Sequence, residues 1–201
     1  GRPGSPLMPD LSTAREALSN HAPRLVTGNP YPQAAVAAIF RDQPEDARLL
    51  FIERARCDGD PWSGDLAFPG GRVEAQDGSV HDTAERETRE EIGWSLEEVD
   101  RLGRLDDMAG SVLPITVSAC VYATRIEQSP TLSAEVVDVF WTPVADLLDP
   151  ERRTVHTLRR RGAERTFPAL DVLGPGCPLL WGVTYRFVCD LMQFFGHDLP
   201  T

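Results

Sequence analysis

An α/β fold, a mixed sheet sandwiched between helices, is predicted by three observations on this chain. Strand-like runs at residues 34–40, 48–53, 115–126 and 136–141 fall on both sides of an amphipathic acidic helix at 80–92. A second long amphipathic helix, residues 180–195, closes the pattern. The chain has 201 residues, 41% of them hydrophobic. That suffices for one well-buried α/β domain and is short for two.

The elements follow in chain order. GRPGSPL before Met8 reads as a disordered tail. Thr13 and Glu16 make a capping box for a short helix through about Ser19, which Pro23 prevents from continuing, and a linker runs on to Pro32. Residues 1–30 are therefore expected to be a flexible tail, a short helix and a linker, and residues 31–197 a single domain. AAVAAIF (34–40) and RLLFIE (48–53) are strands joined by a polar turn, and residues 66–68 lead into a Gly-Gly loop. Ser79 or Asp82 caps the next helix, Gly93 stops it, and Val80, Ala84, Thr88 and Ile92 form its core-facing stripe. The acidic side is then expected to face outward. Residues 115–126 alternate as a long strand, and residues 136–141 form another before a brief helix at 144–148. The arginines between 152 and 165 surround a Gly162 turn that reads as a hairpin. In the last helix Val183, Phe187, Leu191 and Phe194 share one side, and Gly196 ends it.

Composition narrows the function. Net charge is −11, and all 20 basic residues are Arg, which disfavours nucleic-acid binding through a broad basic surface. No apolar run nears the roughly 20 residues needed to span a bilayer, and no signal segment opens the chain, so a cytoplasmic protein without membrane contact is expected. Cys57, Cys120, Cys177 and Cys189 show no CxxC spacing, and His21, His81, His156 and His197 form no zinc-binding cluster.

The chemistry sits in FPGGRVEAQDGSVHDTAERETREEIGW, residues 68–94. Helical steps of three and four put Glu87, Glu90 and Glu91 on one face within about 6 Å of each other. Like charges so placed weaken an isolated helix, whereas a hard divalent cation such as Mg²⁺ reverses the sign. Arg86, four residues before Glu90, is placed to orient it. Gly70 and Gly71 let backbone approach a metal or ligand closely. A solvated helix laced by pairs such as Glu85 with Arg89 would explain the charges but not the glycine loop.

This segment resembles the signature box of the Nudix hydrolases, GX5EX7REUXEEXGU, with Gly71, Arg86, Glu87, Glu90, Glu91 and Gly93 at matching positions. The interval from Gly71 to Arg86 is fifteen residues, one more than the general box, and Asp77 stands where its isolated Glu would fall. That spacing is similar to the coenzyme A pyrophosphatase-like branch, whose upstream pattern is echoed by Leu50, Arg54, Gly64 and residues 68–71. Ile52, Ala55 and Trp62 depart from it, which puts coenzyme A itself in question. The resemblance, spanning about residues 34–195, implies a Nudix-type α/β/α sandwich.

It also implies Mg²⁺-dependent hydrolysis, with Mn²⁺ a substitute, of the diphosphate in a nucleoside diphosphate linked to another moiety, coenzyme A or a derivative included. ADP-ribose-like or nucleoside triphosphate substrates remain alternatives, as do a catalytically silent nucleotide-binding module and an interaction protein gripping acidic partners through the Arg-rich hairpin. The expected metal ligands are Glu87, Glu90 and Glu91, with the Gly71 carbonyl added by family analogy. Glu87 and Glu135 are the candidate bases, Glu135 being equally readable as a strand-edge residue. Glu91 and Arg86 complete the catalytic set. Arg54 and Arg72 are candidate phosphate contacts or simply exposed arginines, and Trp62 either stacks on a base or packs locally. The expected partner is a small phosphorylated molecule, with a homodimer left open.

Overall fold

The computed structural model describes residues 9–58, 63–109, 114–160 and 162–201. The tail before Met8, Trp62 and Arg161 lie outside them. The elements run α1 (Leu11–Ser19), β1 (Gln33–Arg41), β2 (Arg48–Arg54), β3 (Leu66–Ala67), β4 (Gly70–Arg72), α2 (Val80–Ile92), β5 (Asp100–Arg104), β6 (Met108–Ala109), β7 (Thr116–Thr124), β8 (Val136–Pro143), α3 (Val144–Leu148), β9 (Arg153–Arg160), β10 (Ala163–Leu170), β11 (Leu180–Trp181) and α4 (Gly182–Phe194).

The main sheet has eight strands in the order β3-β2-β1-β7-β5, with β4 on β1, β6 on β7 and β8 on β2. β1 and β7 run parallel from Gln33↔Thr116 to Arg41↔Thr124, and the other pairs are antiparallel, so the sheet is mixed. Every residue of β7 is buried, because the strand is central and both faces are covered. The alternation expected across 115–126 therefore gives way to a continuous buried strand.

β1 and β2 pair only at Phe40↔Leu49 and Arg41↔Arg48 and then diverge. Two short strands fill the wedge between them: β3 pairs with β2 at Ile52↔Ala67, and β4 pairs with β1 from Ala34↔Arg72 to Val36↔Gly70. Between them the Ala37 N–H donates to the Pro69 carbonyl at 2.8 Å. The Gly-Gly segment is thus woven into the sheet rather than left as a loop.

The sheet is covered on both faces. On one, α2 packs over Ala35, Ala37, Ile39, Leu50, Ile52, Cys120 and Tyr122; the small alanines of β1 let the helix come close. On the other, α1 and α4 cover Phe40, Leu49, Phe51 and Val121. This is the expected α/β/α sandwich. Helix α1 starts at Leu11, two residues before Thr13: Asp10 is its N-cap, accepting from Ser12 N at 2.9 Å, and this lets Leu11 join Ala14 and Leu18 in the buried face. Leu180 and Trp181, expected in the last helix, instead pair with β10 at Leu170↔Leu180 and Ala169↔Trp181, and α4 begins after them.

β5 and β6 carry no strand signal in the sequence but pair with β7. In β5 the register slips at Gly103, φ +147°, where a side chain would meet the Leu18 carbonyl of α1 at 3.1 Å. β9, β10 and β11 form a second sheet whose base is tied to the first by Trp181 Nε1 donating to Asp65 Oδ1 at 3.1 Å. No helix among the described residues is long and apolar enough to cross a membrane.

Candidate active site

Helix α2 is held at both ends as its sequence predicts. Ser79 accepts from Asp82 N at 3.1 Å, and Gly93, in the left-handed region at φ +73°, donates its N–H to the Arg89 carbonyl at 3.0 Å. Ala84, Thr88 and Ile92 are buried and Val80 partly so.

The acidic flank departs from expectation. It does not face outward as a unit: Glu90 is exposed, Glu87 is partly buried, and Glu91 retains only 3% of its surface. The cause is β4, which lies across this flank. The Gly70 N–H donates to Glu91 Oε2 at 2.9 Å. Neither glycine has a positive φ; both are required by proximity. A Cβ on Gly70 would stand 2.7 Å from Val36 Cα, and one on Gly71 would stand 2.5 Å from the Glu87 carboxyl carbon.

Arg86 is the hub beneath these groups. Its Nε and Nη2 donate to the two carboxylate oxygens of Asp77 at 3.0 and 2.9 Å, and Nη2 also donates to the Arg72 carbonyl at 3.0 Å. Nη1 reaches Glu87 Oε1 at 2.8 Å and Glu90 Oε2 at 3.1 Å. Asp77 also accepts from Thr83 Oγ1 at 2.8 Å and from Glu74 N at 2.9 Å. Arg86 therefore orients Glu87 as well as Glu90, and Asp77 orients Arg86. Neither the role of Asp77 nor that of the Gly70 N–H was read from the sequence. Only the position of Asp77, nine residues before Arg86 across the turn into α2, hinted at the first.

Burial pushes the Glu91 carboxyl up to about 8; the Gly70 N–H and nearby Arg54 oppose the rise, and the charges of Glu87 and Glu135 add to it. Burial also raises Glu87, against the pull of Arg86, with Glu90 and Glu135 adding repulsion. The Arg86 fork holds Asp77 well below the usual carboxylate range.

The remaining expected residues divide. Arg54 Nη1 lies 3.8 Å from Glu91 Oε1, beside the acidic flank. Glu135 is exposed immediately before β8, and its charge is felt at Glu87 and Glu91. Arg72 contributes its carbonyl to Arg86 while the residue stays exposed. Arg152 falls just before the hairpin and is bound to Asp146 of α3 at 2.7 Å, whereas within the hairpin Arg159 pairs with Glu164 at 2.8 Å, an exposed cross-strand contact. Among the described residues no three acidic, histidine or cysteine side chains already converge as a cation cage, because Arg86 Nη1 bridges Glu87 and Glu90.

Comparison with known proteins gives the same direction. A family model described as the NUDIX domain matches residues 30–162. An uncharacterised protein of Schizosaccharomyces pombe is 31% identical over 189 residues, which cover 79% of this chain and 56% of that protein. The human mitochondrial coenzyme A diphosphatase is 30% identical over 188 residues, covering 89% of this chain and 77% of that protein. The chain thus spans little more than half the length of the yeast relative. Among solved structures, a MutT/nudix family protein from Enterococcus faecalis superposes with a TM-score of 0.53 at 16% identity, over 89% of this chain and 66% of that one; at such identity the likeness concerns the fold.

Proposed function

The chain belongs to the NUDIX domain family, and on that premise we propose that it is a divalent-metal-dependent pyrophosphohydrolase acting on a nucleoside diphosphate linked to a second moiety. Coenzyme A or a derivative is the favoured substrate. The relation to the human coenzyme A diphosphatase supports it, as do the preserved intervals among Leu50, Arg54, Gly64 and the FPGG segment. The working unit is proposed to be residues 31–197.

The observation that carries this reading is the seating of Gly70 and Gly71 directly on the carboxyl groups of Glu91 and Glu87. The donor set fits Mg²⁺, with Mn²⁺ as substitute: hard oxygens only, from groups whose mutual repulsion and burial a cation would relieve. Glu87, Glu90 and Glu91 would hold the ion, with the Gly71 carbonyl as a backbone ligand. When bound, such ions shield phosphoryl oxygens and make water more acidic.

The protein's own groups supply the rest. Arg54, beside Glu91, presents a planar fork to a substrate phosphate. Arg86, held by Asp77, fixes the direction of Glu87 and Glu90, so its contribution is positioning. A carboxylate must accept the proton of the attacking water, and Glu87 and Glu135 are the candidates: Glu87 on the helix, and Glu135, immediately before β8, whose charge is felt at Glu87.

Substituting Glu91→Gln keeps an acceptor for the Gly70 N–H and removes the charge. Folding should persist, while Mg²⁺-dependent hydrolysis should fall by about a hundredfold or more. Rates like those of the wild type would overturn the assignment. A chromatographic screen of coenzyme A, ADP-ribose, dinucleoside polyphosphates and nucleoside triphosphates with Mg²⁺ or Mn²⁺ then identifies the substrate class.

A further inference from the structure

A cavity of 390 Å³ opens at the start of α2, at the far end of the helix from Glu90 and Glu91. Small-molecule sites commonly measure about 300–1,000 Å³ and combine apolar walls with a few placed polar groups. Here the linker contributes Leu25 and Val26, and the segment leading into α2 contributes Val73 and Val80. The polar groups belong to Gln33 of β1 and Arg104 of β5. Both side chains converge on the buried Ser118 hydroxyl, Arg104 Nη2 donating at 2.9 Å and Gln33 Nε2 at 3.3 Å. Each keeps one atom in reserve. Arg104 Nη1 and Gln33 Oε1 make no hydrogen bond among the described residues, and neither atom is sealed from solvent.

The carboxylates that line this cavity are already matched. Asp107 accepts from Arg104 Nη2 at 2.6 Å, from Ser118 Oγ at 2.7 Å and from Val26 N at 3.0 Å. Asp77, which links the cavity to the acidic flank, is held by the Arg86 fork. With each carboxylate facing a guanidinium and the chain at −11 overall, an anionic occupant would be repelled at long range. We propose that the cavity binds a small neutral heterocycle through an amide edge. The ligand carbonyl accepts from Arg104 Nη1, the adjacent ring N–H donates to Gln33 Oε1, and the ring rests on the four aliphatic side chains. Pyrimidine and purine bases that carry a ring lactam present such an edge.

Uracil is the probe, titrated into the full ¹⁵N-labelled chain. Its control is dimethyluracil, methylated at both ring nitrogens, which keeps the carbonyls and has no N–H. Backbone amide signals of Val26, Gln33, Gly78 and Arg104 should shift together and saturably with uracil. Dimethyluracil should bind about fivefold to tenfold more weakly, for want of one hydrogen bond. Removing Arg104 would strand Asp107, whose side chain is 1% exposed, so the variant is Gln33→Leu. That variant should weaken uracil by a similar factor and abolish the difference between the two probes, with folding checked by thermal melting. Should it not fold, the comparison of the probes on the wild type decides. The proposal fails if those signals do not respond, if shifts fall at Gly70 and Glu91 alone, if dimethyluracil matches uracil, or if a folded Gln33→Leu still prefers uracil. Hydrolysis enters none of these readouts, so the result stands apart from the substrate assignment.

Discussion

At Glu91, burial and neighbouring negative charge favour the protonated carboxyl, whereas a cation requires the carboxylate. The ordinary value of 4.5 is raised to about 8 in the folded chain, so the folded state holds this proton more tightly than the unfolded one. Glu91 therefore makes the metal-free protein lose stability as pH rises through that window. Mg²⁺ must displace the proton, so its apparent affinity should increase across the same interval and level off above about 8. Calorimetric titration of Mg²⁺ at several pH values checks this, with Glu91→Gln losing the pH dependence. The spacing of Glu87, Glu90 and Glu91 made the shared face legible from sequence alone. The unequal burial of the three was not, because it depends on the Gly70 backbone arriving from 21 residues earlier.

Among the elements, β4 is the most demanding, since its glycines put no side chain of their own between it and the carboxyl groups of α2. Replacing Gly71 by Ala puts a methyl group 2.5 Å from the Glu87 carboxyl carbon. The strand and helix must then separate, or Glu87 must leave Arg86. Hydrolysis should fall by about tenfold or more and the unfolding temperature by a few degrees, read from activity and thermal melting of one preparation. Local rules found α2 because Ser79, Gly93 and the apolar stripe state its beginning, end and inner face. They missed β5, whose sequence DRLGR neither alternates nor is rich in β-branched residues; it is a strand because β7 offers it a partner and α1 covers Gly103. They also ran α4 through Leu180 and Trp181, whose helical periodicity is overruled by pairing with β10.

For the molecule as a whole, the central event is the parallel pairing of β1 with β7, segments 83 positions apart from Gln33↔Thr116 onward. Contacts so distant in sequence must close a long loop before they return any stabilisation. Refolding from urea, followed by tryptophan fluorescence, should therefore take on the order of milliseconds to seconds rather than microseconds. Microsecond refolding would contradict this topology. The α/β/α layering was legible because hydrophobic periodicity switches from strand to helix and back. The order of strands was not, since nothing local in 34–40 specifies a partner at 116–124.

The wedge between β1 and β2 has a practical corollary for anyone wishing to retarget the protein. Arg54 N donates to the Asp65 carbonyl at 3.0 Å and Ile52 faces Ala67, so the two chain segments flanking residues 55–64 are cinched together. Sequence changes between those two flanks would leave β4, and the carboxylates it touches, anchored to β1.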